Sequence, residues 1–164
     1  MKTLKDIDWE NWEPRERATL LFVVSNGKVL LIHKKRGLGA GKINGPGGRI
    51  EPGESARECA VREVEEELCI TALDVIFCGE MSFQFADGYS LHCTVFRASG
   101  YRGEPQETDE AVPLWFDVDS LPYDKMWQDD RYWMPLMFAG QQFRGRFLFD
   151  GDRMLDKQID ETGD

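Results

Sequence analysis

The stretch Gly48–Ile70, GRIEPGESARECAVREVEEELCI, limits what this chain can fold into more than any other. Pro52-Gly53 punctuates a turn. Ser55 with Glu58 three residues later is the pattern of a helix start, where each side chain satisfies a backbone N–H near the other. From there to about Leu68 the residues are good helix formers, with no Gly or Pro among them. At about 100° per residue, Ala60, Val61, Val64 and Leu68 share one arc of the helix. Glu63, Glu66 and Glu67 share the neighbouring arc, while Glu58 and Glu65 turn to solvent. The apolar arc must face a sheet, because strand-like segments outnumber helical ones in the rest of the chain.

Carboxylates at i, i+3 and i+4 repel by about 0.2–0.5 kcal/mol per pair. Taken alone, this acidic arc reads either as a solvated face or as a grip for a cation. Hard oxygen ligands suit Mg²⁺ or Mn²⁺, and Mg²⁺ is commonly shared between carboxylates and substrate phosphates.

In chain order, residues 1–16 read as an irregular arm that Trp9 and Trp12 could pin to the body. Ala18–Val24 and Lys28–His33 are strands joined by a Ser25-Asn26-Gly27 turn. The Gly-rich loop GLGAGKINGPGG follows; it is either a plain connection or backbone that approaches a phosphate closely. Beyond the helix come strands over 74–85 and 89–98 around an Ala86-Asp87-Gly88 turn, then Leu114–Phe116. A helix over 133–139 and two strands, 142–149 and 153–159, close the chain. The expected organisation is one α+β domain over 17–160, with a short tail at 161–164.

The formal net charge of −10 disfavours nucleic acid polymers and anionic membranes, which require a basic footprint. Mononucleotides stay open, since divalent ions can neutralise their phosphates in an acidic pocket. No apolar run reaches the roughly 18 residues of a membrane span. The first residues lack the apolar core of a secretion signal, so a cytoplasmic protein is expected. Cys59, Cys69, Cys78 and Cys93 show no metal-binding spacing and read as reduced thiols. His33 and His92 lie in strand-like runs and read as packed or surface residues.

The spacing of Gly48, Glu54, Arg62, Glu63, Val64, Glu66, Glu67 and Ile70 resembles the Nudix box. Only Cys69 departs, standing where the family has a Gly that ends the helix. The runs KKRGLGAGKINGPGG, ETDEAVPLWF, MWQDDRYWMPL and FRGRFLFDG extend the resemblance to the MutT-type branch of that family. The resemblance implies an α/β/α sandwich with a mixed sheet, the box forming a loop-helix-loop. It further implies an enzyme that uses Mg²⁺, or Mn²⁺, to hydrolyse oxidised purine nucleoside triphosphates of the 8-oxo-dGTP type. The products would be the monophosphate and pyrophosphate.

By matching position, Glu63, Glu66, Glu67, Glu110 and the Gly47 carbonyl would hold the metal, with Glu67 or Glu63 as the base. Arg62 and Glu54 would orient that set. Asn44, Asp129 and Asp130 would read the purine edge, with Trp127 as a stacking wall assisted by Thr19, Leu91 and Trp133. Lys34, Pro46, Gly47, Gly48, Arg49 and Gln128 complete the implied substrate contacts, and Leu38 stands where a Phe is usual. Outside the family context Asp129-Asp130 reads first as a helix cap, and within it as a pocket pair. The expected partner is a small nucleotide bound by a monomer. The rival readings are a Nudix enzyme for another nucleotide or nucleoside diphosphate derivative, and a non-catalytic nucleotide sensor.

Overall fold

The computed structural model describes residues 1–163. Its strands are β1 (Glu16–Ser25), β2 (Lys28–Lys34), β3 (Ile43–Asn44), β4 (Gly47–Arg49), β5 (Thr71–Phe85), β6 (Ser90–Arg102), β7 (Ala111–Asp117), β8 (Gln142–Asp150) and β9 (Arg153–Thr162). The α-helices are α1 (Ala56–Leu68) and α2 (Asp130–Phe138). The main strand order is β3-β2-β1-β6-β5-β8-β9, with β4 paired to β1 and β7 to β2. β1 runs parallel to β6 and β5 parallel to β8, while the other pairs are antiparallel, so the sheet is mixed.

Alternation along the strands divides the core in two. Leu21, Val23, Leu30 and Ile32 bury one face against Ala60, Val64 and Leu68 of α1. Phe22, Met81, Phe143 and Phe147 bury the other with Trp133, Met134 and Met137 of α2. The arrangement is a helix-sheet-helix sandwich. Among the described residues no helix is long and apolar enough to cross a membrane.

The site exists because one hairpin comes apart. β1 and β2 pair only at Val24↔Val29 and Ser25↔Lys28, beside a turn in which Asn26 and Gly27 both take positive φ. Beyond that point β1 pairs with β4 (Leu20↔Gly47, Ala18↔Arg49) and β2 with β3 (Ile32↔Asn44). The Gly-rich segment is thus threaded into the split, which brings Asn44 and Gly47 to the opening. Strands of two and three residues are too short to show a period in the sequence.

The capping pattern at the start of α1 forms as read: Ser55 Oγ accepts from Glu58 N (3.1 Å) and Glu58 Oε1 accepts from Ser55 N (3.0 Å). At the other end Cys69 takes the left-handed conformation (φ 63°, ψ 30°) that the family's Gly adopts without penalty. Replacing Cys69 by Gly should therefore stabilise the fold by about 0.5–1 kcal/mol, the left-handed penalty less the entropy glycine gains when unfolded. A thermal melt tests this; an unchanged or lower Tm would show that the cap stores no strain.

The arm is pinned to the body through its tryptophans as expected, while the boundaries at both ends differ from expectation. The arm is ordered: Leu4 is buried, and its N–H donates to Asp156 Oδ2 (2.8 Å). Trp12 Nε1 donates to Gln84 Oε1 (2.9 Å), and the Arg146 guanidinium lies 4.9 Å from the Trp9 ring centroid. Glu16, assigned to the arm, begins β1. Glu161 and Thr162, assigned to the tail, pair with Phe143 and Gln142 and extend β9; Asp164 lies outside the described residues. α2 begins at Asp130, earlier than the sequence suggested.

Candidate active site

Glu63 and Glu67 lie one turn apart on α1, and the loop before β7 brings Glu110 to them. One carboxylate oxygen from each falls within 4.8 Å of the others. Glu67 is the most buried, and its Oε2 accepts from Gly47 N (2.9 Å). The box begins with glycine for a steric reason: a Cβ on Gly48 would run into the Glu63 carboxyl, and one on Gly47 into the Thr19 carbonyl.

Glu66 stands apart. It is half exposed, and both its oxygens lie 3.2 Å from Arg62 Nη1. Arg62 also grips Glu54 through Nε (2.6 Å) and Nη2 (2.9 Å), and reaches Glu63 Oε1 (2.9 Å). It thereby joins the turn to the helix. This pairing lowers the Glu54 carboxyl to about 2 and raises the Arg62 guanidinium.

Burial pushes Glu67 up to about 8, and repulsion from Glu63 and Glu110 adds to it against the Gly47 N–H. Burial likewise raises Glu63 and lowers the Lys34 amine, although the three glutamates hold Lys34 back. A cluster of oxygen acids this close, with one carboxyl held in its neutral form, fits a hard divalent cation, which would relieve the repulsion.

The linkage has a definite sign. An unfolded Glu67 ionises near 4.5, whereas the folded one resists until about 8. The metal-free fold therefore carries no penalty from this group below 4.5 and loses stability as pH rises through the window from 4.5 to 8. Its Tm should fall across that window. Mg²⁺ at a hundredfold excess over its Kd should restore about 2.7 kcal/mol. Calorimetry with and without Mg²⁺ decides; a metal-free Tm that climbs from pH 5 to 8 would contradict the assignment.

Next to this cluster a cavity of about 850 Å³ opens on the α2 face of the sheet. Its floor is Ala18, Leu20 and Phe22 of β1 with Met81, Phe83 and Phe85 of β5. At its deep end Asp129 and Asp130 are buried. The cap reading of this pair fails, because Asp129 has helical φ and ψ and makes no capping bond. Its Oδ2 accepts from Trp133 Nε1 (2.8 Å) instead. Burial raises both carboxyls, and the neighbouring Asp129 charge raises Asp130 further, so the pair resists double ionisation.

Asn44 lines the same cavity; its Nδ2 donates to the Gly39 (3.3 Å) and Lys42 (3.0 Å) carbonyls, which leaves its oxygen uncommitted. Trp127 packs so closely on Gly39 that a Cβ there would stand 2.7 Å from the indole nitrogen. Lys34, Gly47, Gly48, Arg49 and Leu91 also line the cavity, and Leu38 is exposed at its rim.

Several implied contacts lie elsewhere. Gln128 points away, its Oε1 accepting from Met154 N (2.7 Å). Trp133 is fully buried behind Asp129, stacked on Phe143. Pro46 is buried, with its carbonyl accepting from Leu21 N (2.9 Å). Thr19 borders the cavity, but its hydroxyl lies 3.3 Å from Cys59 Sγ, towards α1. The lining residues not foreseen include Ala18, Leu20, Phe22, Met81, Phe83, Phe85, Met126 and Met134. Period-two alternation in Met81-Ser82-Phe83-Gln84-Phe85 marks a one-faced apolar strand, whereas Met126 and Met134, inside the run MWQDDRYWMPL, carry no periodic signal of their own.

A mixed sheet between two helices, with box carboxylates beside an apolar cavity, is the architecture of a nucleotide hydrolase. The NUDIX domain model matches residues 14–137, and the chain belongs to the Nudix family. It is 44% identical over 148 residues to the oxidized purine nucleoside triphosphate hydrolase of Danio rerio, covering 89% of this chain and 95% of that protein. The Mus musculus protein of the same name is 38% identical over 146 residues, covering 88% and 94%. The crystal structure of the mutator MutT protein from Bacillus halodurans superposes with a TM-score of 0.79 at 28% identity, covering 88% of this chain and 97% of that one.

Proposed function

We propose that this chain hydrolyses oxidised purine nucleoside triphosphates, of which 8-oxo-dGTP is the type, to the monophosphate and pyrophosphate. The observation that carries the reading is the continuity of two chemically different compartments. The acidic cluster opens directly into an apolar cavity that ends on a buried carboxyl pair. A triphosphate at one end and a purine at the other would fill both. The relatives from Danio rerio and Mus musculus, matched over nearly their whole length, support the same substrate class.

In this reading Glu63, Glu67, Glu110 and the Gly47 carbonyl would hold Mg²⁺ or Mn²⁺, with Glu66 at the rim. Such an ion polarises phosphate oxygens and makes water a better nucleophile. Arg62 and Glu54 keep the glutamates in place. Glu67, ionised once a cation relieves its burial and repulsion, would accept the proton of the attacking water, with Glu63 as the alternative base. Lys34 and the Gly47 and Gly48 backbone steady the phosphates. Asp130 donates to the base and Asp129 accepts from it, Asn44 adds an acceptor, and Trp127 closes one side. The enzyme acts as a monomer on the free nucleotide pool of the cytoplasm, where its four unpaired cysteines stay reduced.

The test is a panel of ordinary and oxidised triphosphates at fixed Mg²⁺, with products identified by chromatography. The expected result is monophosphate and pyrophosphate, with higher kcat/KM for oxidised purines. A preference for dGTP over 8-oxo-dGTP would reject the substrate, and nucleotide binding without turnover would reject the enzyme.

A further inference from the structure

The acidic cluster takes its carboxylates from two separate pieces of chain. Glu63 and Glu67 belong to α1, and Glu110 to the loop before β7. Like charges push these pieces apart, so something must hold the loop to the helix. Gln106 N donates to the Leu68 carbonyl (2.9 Å), and Lys35 Nζ reaches both Glu107 Oε2 (2.6 Å) and the Thr108 carbonyl (2.7 Å).

Thr108 does something neither of those contacts does. Its hydroxyl donates to the Glu67 carbonyl (2.8 Å) and accepts from Glu110 N (3.3 Å). One oxygen atom therefore bonds the backbones of two residues whose carboxylates converge. It touches neither carboxylate. The Thr108 backbone is fixed independently, with its N–H donating to Ala111 O (3.0 Å). Lys35 N also donates to the Glu110 carbonyl (3.0 Å) and Arg36 Nη2 reaches Glu110 Oε1 (3.2 Å), so removing the hydroxyl would leave the loop attached and loosen only its tie to the Glu67 backbone.

We infer that Thr108 is a positioning residue for divalent-cation binding, joining the helical and loop halves of the site through its hydroxyl. The inference rests on the proposed role of Glu63, Glu67 and Glu110 as the cation site. Groups that orient metal ligands without touching the ion contribute about 10- to 100-fold to affinity.

The experiment is a titration of metal-free, full-length protein with Mn²⁺ in the absence of nucleotide, read by calorimetry or by the electron paramagnetic resonance of free Mn²⁺. The unaltered protein is compared with Thr108→Val, Thr108→Ser and Glu67→Gln. Thr108→Val, of similar shape but without the hydroxyl, should raise the Mn²⁺ Kd about tenfold or more. Thr108→Ser, which keeps the hydroxyl, should bind like the unaltered protein. At saturating Mg²⁺, Thr108→Val should retain the unaltered ratio of kcat/KM between oxidised and ordinary purine triphosphates.

Unchanged Mn²⁺ affinity in Thr108→Val overturns the inference while weakened binding in Glu67→Gln preserves the cation site. Equal loss in Thr108→Ser and Thr108→Val also overturns it, since packing and not the hydroxyl would then matter. Mn²⁺ binding unaffected by Glu67→Gln removes the site assignment itself, and Thr108 with it.

Discussion

Replacing Glu67 by Gln is expected to lower pyrophosphate release by about 10³-fold, within the range a positioned general base contributes, while nucleotide binding survives. The substitution keeps the side chain's size, and the amide oxygen can still accept the 2.9 Å bond from Gly47 N. What disappears is the negative charge. Because that charge resists burial and sits beside Glu63 and Glu110, the metal-free variant should melt higher than the unaltered protein above pH 5. Gain of stability with loss of turnover is what a side chain kept for chemistry predicts. A pyrophosphate-release assay, nucleotide titration calorimetry and a thermal melt measure turnover, binding and stability in turn. Turnover at the unaltered rate would end the proposed role.

Asp129→Asn should change which base is chosen without changing how the phosphates are cut. Asn can still accept from Trp133 Nε1, so the indole stays satisfied. The carboxyl pair that can share a proton is broken, and with it the charged acceptor it could offer a purine. A hydrogen bond to a charged group is worth about 1.5–3 kcal/mol, so selection between oxidised and ordinary purines should fall roughly 10- to 100-fold. Asn44→Ala should act in the same direction. The readout is the ratio of kcat/KM values over the substrate panel, together with the Mg²⁺ concentration for half-maximal rate. A uniform loss on every substrate, at an unchanged ratio, would remove the Asp pair from base recognition.

What the sequence made legible was governed by local periodicity. The wheel placed Ala60, Val61, Val64 and Leu68 against a sheet; Val61 is partly buried there and the other three fully. The same wheel grouped Glu66 with Glu63 and Glu67, but an arc about 100° wide cannot tell that Arg62 draws Glu66 to the rim. Side chains adjacent in the chain are not adjacent in space at Trp127-Gln128-Asp129, where the middle one turns to Met154. Trp133 shows another failure: a residue one turn behind Asp129 supports it and does not face the cavity. The split of the β1–β2 hairpin was unreadable for a different reason. It is made by pairings between short segments distant from one another, which leave no periodic trace.

β1 bears on how such an enzyme could be retargeted. Leu20 and Phe22 look into the base cavity, while Leu21 and Val23 point through the sheet to the helix that carries the acids. A lineage selected for a new nucleobase can draw its changes from alternate positions of β1 and β5, leaving the hydrolytic half untouched. Laboratory selection for altered base preference should therefore enrich substitutions at Leu20, Phe22, Met81 and Phe83 while Leu21 and Val23 remain invariant.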